Sequence, residues 1–487
     1  MFIHEIGHLA GAKNLAELPA EVAEVTPVGF AIDSRSIGAG ELFFAIQGAV
    51  FDGHAFVKMA FERGACAAIL SADVKDLTDA ERQRCLMVEN TLLALQQLAH
   101  RLLTDWGRPV IGITGSAGKT TAKELTARTV STCGRVHASV GNLNNTFGLP
   151  LTALKMISNY HKMDDFDFAV FEMGMSFSGE ITQLTQIAPP HISVVLNVAP
   201  VHLENFDSID GIAAAKAEIV HGLIEGGTAI LNVDDPRVRQ MDEIARAKNG
   251  KVVFFGRGEN AQVRAIDVTP HGLLGTDFTL VTPKGTIPVH LPLPGEHFVH
   301  NALAAAAVAL ECGGYLDSIA AALEQGKPAP HRGEVLHFEA GFTVVDDSYN
   351  SNPQALQGMI KLLAAVPDAR RTVLVAGEML ELGPDGAQMH AACGKFAAEH
   401  GVGLLIGVRG LAEHFLTGAY TAGLPHSQTY FAPDATQAGE WLAQAVRPGD
   451  VVLVKGSRGV RTELVIETLK HRFSVCPPTP TQTGLYQ

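Results

Sequence analysis

The chain has 487 residues, 47% of them hydrophobic, 18% charged and 6% aromatic, and carries a formal net charge of −14. This composition excludes a disordered or fibrous protein, and the length predicts about three domains. The acidic balance, with no Lys/Arg cluster or aromatic-interleaved basic stretch, argues against a nucleic-acid partner and favours small-molecule chemistry.

The opening "MFIHEIGHLAGAKNLAEL" lacks the basic start and long apolar run of a secretory leader. The longest apolar helical stretch, residues 302–310, is too short to cross a bilayer, so a cytoplasmic protein without membrane insertion is expected. Six scattered cysteines with no C-x-x-C pair predict reduced thiols rather than disulfides or a zinc site. Residues 1–108 carry short strand-like runs, "FAID", "LFFAI", "CAAIL" and "CLMV", and a helix predicted over Thr91–Trp106. They read as a small N-terminal α/β unit.

The second block, 109–329, begins with "PVIGITGSAGKTTAKELTARTV". Val110–Ile113 predicts a buried strand, Gly115 and Gly118 a tight turn, and Lys119-Thr120-Thr121 the start of a helix. The unpaired N–H groups of such a turn, backed by the positive helix end, bind anions. Lys119 suits a terminal phosphate, and the Thr120 hydroxyl suits the magnesium that accompanies nucleotides. The turn is shorter than G-x-x-x-x-G-K-[ST], because Ile113 stands where the first glycine is usual. An ordinary Gly-rich turn gives no reason for Lys-Thr-Thr directly after the glycine.

Glu172 ends the run "FAVFEMG", which places a carboxylate at the carboxyl edge of a sheet, the ligand crevice of such folds. His202 follows the run "ISVVLNV", and Asp207-Ser208 predict a helix start. On that helix Lys216 shares the apolar face with Ile212, Ile219, Val220 and Leu223. There an ammonium must lose its proton, find a partner or snorkel to the rim. "TAILNV", "KVVFF", a β-rich stretch over 262–294, an Ala-rich helix over His297–Glu311 and the linker "GKPAPHRGE" complete the block.

The third block, 330–487, alternates "TVVDDS", "TVLVAGEM", "LLIGVRG" and "DVVLVKGS" with helical stretches, a doubly wound pattern without G-x-G-x-x-G. "VVDDSYNSNP" sets Asp346 and Asp347 beside Tyr349, Asn350 and Asn352, although an Asx-stabilised turn explains the stretch equally well. "KGSRG" offers Lys455, Ser457 and Arg458 to an anion or to a helix start. The fold class is α/β with three domains and mostly parallel sheets. Neither N-K-x-D nor the H-R-D and D-F-G pair is present, which speaks against a GTPase and a protein kinase. An ATP-gated binding protein stays open as the non-enzymatic alternative.

In their order, "TGSAGKTT", "GNLNNTFGLPLTAL", "FEMGMS", "VAPVHLENF", "AAAKAEI", "NALAAAAVAL", "HRGEV", "DDSYNSNP" and "GEMLELG" resemble the Mur ligase family over nearly the whole chain. "DSRSIGAGELFFAIQG" resembles the uridine-diphosphate-binding opening of the members that act late in the pathway. "GEMLELG" with "DDSYNSNP" resembles the member that adds D-Ala-D-Ala, and the D-N-P-R of the diaminopimelate-adding member is missing. The resemblance implies a P-loop-type central domain and a Rossmann-like C-terminal domain. It also implies an ATP-dependent ligase joining D-alanyl-D-alanine to UDP-N-acetylmuramoyl-tripeptide through an acyl phosphate in peptidoglycan precursor synthesis. Another Mur ligase, or a folylpolyglutamate-type ligase, is the alternative within this class. A monomer is expected.

The implied ATP contacts are Gly115, Ser116, Ala117, Gly118, Lys119, Thr120, Thr121, His297, Asn301, Arg332 and Asp347. Implied substrate contacts are Ser34, Arg35, Asn144, Asn145, Thr146, Tyr349, Asn350, Asn352, Lys455 and Arg458. Two Mg2+ ions are implied, one on Thr120 and Glu172 and a second helped by His202, with Lys216 carbamylated as a further anionic ligand. Glu378 stands where the family usually has Asp, and Phe298 follows His297 where Asn is common.

Overall fold

The computed structural model describes residues 1–477 except Ala49, Asn142, His202 and Asp368. Three sheets follow one another along the chain. The first is parallel, in the order β1 (Gly29–Ala31), β2 (Glu41–Phe44), β3 (Ala67–Leu70) and β4 (Cys85–Met87). The helix Thr91–Trp106 follows it, opened by Asn90, whose side chain accepts from Leu93 N–H, and closed by Gly107 at φ +65°. Its buried residues Leu95, Leu98 and Leu102 recur at helical spacing and join the core formed with Leu42, Phe44 and Ile69.

The central sheet contains β5 (Val110–Thr114), β6 (Val136–Ala138), β7 (Phe168–Glu172), β8 (Ile192–Val195), β9 (Thr228–Asn232), β10 (Lys251–Gly256), β11 (Val263–Pro270), β12 (Thr276–Thr282) and β13 (Gly285–Leu291). Their order is β13-β12-β11-β10-β9-β8-β5-β7-β6. From β6 to β11 the pairing is parallel, and β12 and β13 turn back antiparallel. Strand β5 is buried at every position, as expected of a parallel strand covered on both faces. The helices Lys119–Val130 and His297–Glu311 pack closely on one another. Ala302 and Ala304–Ala307 are all at 0% exposure, and these short side chains let the Thr129 hydroxyl reach the Ala305 carbonyl at 3.2 Å.

Asp234, just past β9, ties this packing to the sheet. It accepts from Arg257 N–H (2.6 Å), Gly258 N–H (2.9 Å) and His300 on the Ala-rich helix (2.9 Å). Burial pushes its carboxyl up, but His300 and the two N–H groups outweigh that and hold it down at about 2. A depressed carboxyl contributes stability above its unfolded value that is lost as pH falls through the folded one, so stability is expected to decline between about pH 4 and pH 2. Discounted for partial exposure, Asp234→Asn is expected to cost about 1 kcal/mol at pH 7, checked by urea unfolding at pH 7 and pH 3. An equal cost at both pH values would contradict this assignment.

The third sheet contains β14 (Glu334–His337), β15 (Thr343–Asp347), β16 (Arg371–Gly377), β17 (Leu404–Val408), β18 (Thr429–Ala432) and β19 (Asp450–Lys455), in the order β14-β15-β19-β16-β17-β18. All pairs are parallel except β14 with β15. The last strand in sequence therefore lies between β15 and β16, and its carboxyl end comes beside that of β15. No helix among the described residues is long and apolar enough to cross a membrane.

Candidate active site

The phosphate loop leaves β5 and enters the helix Lys119–Val130 through Gly118, at φ +83°. Its shape is set by the neighbouring strand end. Asn197 beyond β8 accepts from Ala117 N–H (2.9 Å) and donates to the Ala117 carbonyl (3.1 Å). The Ser116 hydroxyl donates to Ala199 O (3.1 Å) and accepts from Ala199 N–H (2.8 Å). A Cβ at Gly115 would stand 2.9 Å from Leu196 Cβ, so close backbone approach requires glycine there. At Gly118 a Cβ would meet Asn301 Oδ1 at 2.7 Å. Gly118→Ala is therefore expected to weaken ADP binding about tenfold, measured by calorimetry, because the loop must shift off Asn301.

Lys119 Nζ donates to the Gly115 carbonyl (2.9 Å), which holds the ammonium inside its own loop. Burial pushes it below the ordinary lysine range, and nearby Glu172 opposes that shift. Glu172 closes β7 at 2% exposure. Its Oε2 accepts from the Thr120 hydroxyl (2.8 Å) and its Oε1 from Asn144 Nδ2 (2.7 Å). Among the described residues both of these hydrogen-bond partners are neutral. A buried carboxylate beside a hydroxyl oxygen is a hard, anionic donor pair that suits Mg2+ and leaves its remaining positions to phosphate and water. No cluster of three or more His, Cys, Asp or Glu is gathered for a metal among the described residues.

Lys216 lies at 2% exposure on the helix Ile209–His221, which Ser208 caps through Gly211 N–H. Burial, and after it the charge of Lys119, pushes its amine well below the ordinary range. Among the described residues no carboxylate forms an ion pair with it. Of the outcomes open from sequence, snorkelling is thus excluded. His202 lies outside the described residues.

Across the cleft stand the ends of β15 and β19. Lys455 Nζ donates to Asp347 Oδ2 (2.5 Å) and to Asn350 O (2.9 Å). Burial pushes the Asp347 carboxyl up, and Lys455 pulls against it. The Arg332 guanidinium lies over the Tyr349 ring, 3.9 Å from its centroid. His297 is pushed down to about 4 by burial and by the charge of Lys455, and is neutral at pH 7.

These two walls enclose a cavity of about 400 Å³. It is lined by Ser116, Ala117, Gly118, Lys119, Thr120, Thr121, Asn144, Asn145, Glu172, His297, Arg332, Asp347, Tyr349, Asn350, Asn352 and Lys455 of the predicted set. Gly115 and Asn301 lie behind the loop, as backbone acceptor and packing partner. Thr146 stands outside the lining and accepts from Gln96 through its carbonyl (3.1 Å). Arg458 flanks the Tyr349 ring at 5.9 Å and is paired with Glu463 (2.8 Å). Ser34 and Arg35 belong to the first sheet's unit. Ser34 is buried against Met59, whereas Arg35 is exposed and paired with Asp33 (2.8 Å).

Sequence reasoning missed Asn197, Glu180 and Ser351. Glu180 lines the cavity and accepts from Ser176 N–H (2.6 Å) and Phe177 N–H (3.0 Å), and Ser351 lines it with a buried hydroxyl. A polar residue directly after an apolar strand run was the available signal for Asn197. The two departures are accommodated locally. Glu378 accepts from Leu411 N–H (3.0 Å) and faces Arg409 (3.7 Å), and the Phe298 ring tilts against His297 at 4.1 Å.

Residues 28–102 match the Mur ligase family catalytic domain, 113–309 the Mur ligase middle domain and 331–458 the Mur ligase glutamate ligase domain. The chain is 36% identical over 454 residues to the UDP-N-acetylmuramoyl-tripeptide–D-alanyl-D-alanine ligase of Escherichia coli strain K12, covering 92% of this chain and 95% of that one. It superposes on MurF from Acinetobacter baumannii with a TM-score of 0.84 at 30% identity, covering 96% and 98% of the two chains. With MurF ligase from Thermotoga maritima in complex with ADP the TM-score is 0.77 at 30% identity, covering 91% and 97%. The loop, the buried acid and the facing basic wall thus occur in a chain that matches this family along most of its length, and the protein belongs to the Mur ligase family.

Proposed function

We propose that the protein joins D-alanyl-D-alanine to UDP-N-acetylmuramoyl-tripeptide at the expense of ATP, giving UDP-N-acetylmuramoyl-pentapeptide, ADP and phosphate. The observation that carries this reading is the cavity itself. A phosphate-binding loop with a buried carboxylate forms one wall, and Arg332, Asp347 and Lys455 from another sheet form the other.

In this reading the loop amides and Lys119 hold the β- and γ-phosphates, with Arg332 near them, Asp347 on the ribose side and Asn301 behind the loop. Thr120 and Glu172 would hold one Mg2+ and His202 would help hold a second, and such ions would supply positive charge to neutralise the phosphates. The tripeptide's free carboxylate attacks the γ-phosphorus. An O–P bond forms as the bond to ADP breaks, and the charge on the transferred group is spread over Lys119 and the loop N–H groups. The dipeptide amine then attacks the acyl carbon, loses a proton and expels phosphate. Activation replaces hydroxide, a poor leaving group, by phosphate, a good one.

The Lys216 amine, pushed toward its neutral form by burial, adds to carbon dioxide, forming an N–C bond and releasing one proton, and the resulting carbamate gives an anionic group suited to the cation site. Residues 1–108 hold the UDP-sugar peptide, 109–329 the ATP, and 330–487 the dipeptide and part of the nucleotide. Closure of three such units excludes water from the acyl phosphate. The reading includes a monomer acting in the cytoplasm, checked by light scattering of the purified chain and by cell fractionation.

The deciding experiment supplies radiolabelled D-Ala-D-Ala, meso-diaminopimelate, L-lysine or L-glutamate, each with its matching carboxyl donor, and looks for ligated product. Incorporation of D-Ala-D-Ala, with oxygen label passing from the donor carboxylate into phosphate, is expected. Incorporation of another amine instead would overturn the reading.

A further inference from the structure

Among the described residues Lys123 is the largest charged side chain with no solvent exposure, and nothing in the mechanism above uses it. It sits one helical turn beyond Lys119. Fully buried lysines are rare unless paired, and an apolar side chain of similar length would fill the same space without burying an ammonium. Its partners show what the charge holds. Nζ donates to the Ser139 carbonyl (2.5 Å) and pairs with Glu124 Oε1 (2.7 Å).

Ser139 is the first residue past β6, and each of its polar groups is tied. Its N–H donates to Val170 O (3.0 Å) on β7, and its hydroxyl accepts from Glu172 N–H (3.3 Å). Val140 is exposed, and Asn144 meets Glu172 again. The Asn144 carbonyl accepts from Gly174 N–H (2.9 Å), and its amide donates to Glu172 Oε1 (2.7 Å). Lys123 thus holds the residue that accepts from the Glu172 N–H, while Asn144 grips one carboxylate oxygen of Glu172 and Thr120, on the same helix as Lys123, grips the other.

We propose that Lys123 is a positioning residue for the Thr120–Glu172 cation site, holding Ser139 against the Glu172 N–H so that the Glu172 carboxylate stays between Thr120 and Asn144 beside the phosphate loop. The inference rests on the Mg2+ role given to Thr120 and Glu172 above. Lys123 touches neither nucleotide nor substrate, so its effect is felt in the affinity for the cation rather than in the grip of the loop on phosphate.

The test is calorimetric binding of ADP to the full chain with and without Mg2+, for wild type, Lys123→Met, Lys123→Arg and Asn144→Ala. Lys123→Met is expected to bind ADP alone as wild type does, but to lose about tenfold of the Mg2+-dependent gain in affinity, the size typical of removing a residue that orients a metal ligand. Lys123→Arg, which keeps a buried donor, restores most of the gain, and hydrogen exchange at Ser139 and Glu172 is expected to be faster in Lys123→Met than in wild type. A full Mg2+-dependent gain in Lys123→Met overturns the inference alone. If Lys123→Met does not fold, Asn144→Ala carries the test at the other end of the same chain of contacts, and an undiminished gain there overturns it equally. A wild type with no Mg2+-dependent gain overturns the cation-site reading and this inference with it.

Discussion

Lys119→Ala is expected to lower ATP-dependent phosphate release by about 10³-fold or more, with the fold retained. The side chain is held at the loop by its bond to the Gly115 carbonyl, and in the proposed reaction its charge stands close to where phosphate charge develops. Removing it leaves the amides of the turn and the helix end, which bind an anion in ground state and transition state alike. ADP affinity is therefore expected to fall less than turnover does. Phosphate release measured with the tripeptide precursor and D-Ala-D-Ala checks this. Substantial residual turnover in Lys119→Ala would sink the assignment of the loop.

Lys216→Ala is expected to be nearly inactive, by about 10²-fold or more, and to be partly rescued by formate or acetate. The argument runs from burial. In a lysine at 2% exposure, without an ion-pair partner among the described residues, burial and after it the like charge of Lys119 push the amine well below the ordinary range, toward the neutral form that reacts with carbon dioxide. Once carbamylated it presents a carboxylate-like group on the side of the helix where a small added acid can stand in for it. Stripping carbon dioxide from the wild type is expected to lower activity and bicarbonate to restore it, and carbon-13 NMR of enzyme supplied with labelled bicarbonate is expected to show a carbamate carbon. Full activity in Lys216→Ala, or no rescue in an inactive folded variant, counts against the carbamate.

What could be read without coordinates is what neighbouring residues encode together. The helices over Thr91–Trp106 and His297–Glu311 are found at those bounds, the first because Asn90, Gly107 and a 3.6-residue apolar period mark it, the second because its run of alanines favours a helix that is buried nearly all round. The strand–turn–helix of the phosphate loop and the burial of Lys216 follow from the same local logic. Three strands, β6, β14 and β18, escaped notice for a matching reason. Each has three or four residues, lies at the edge of its sheet and is mostly only half-buried, so none carries a continuous apolar run.

Sequence by itself therefore determined the chemical kinds of group present and the α/β class that presents them. Tertiary structure alone decided their meeting: that β19 inserts between β15 and β16 and sets Lys455 against Asp347, 108 residues earlier, and that this pair faces Lys119 and Glu172 across one cavity. It also decided that Asn197 pins the loop and that Lys123 is buried on Ser139. Periodicity records which side of an element is apolar. Strand order and the facing of sheet ends arise from packing whole layers together, and no stretch of neighbouring residues contains that information.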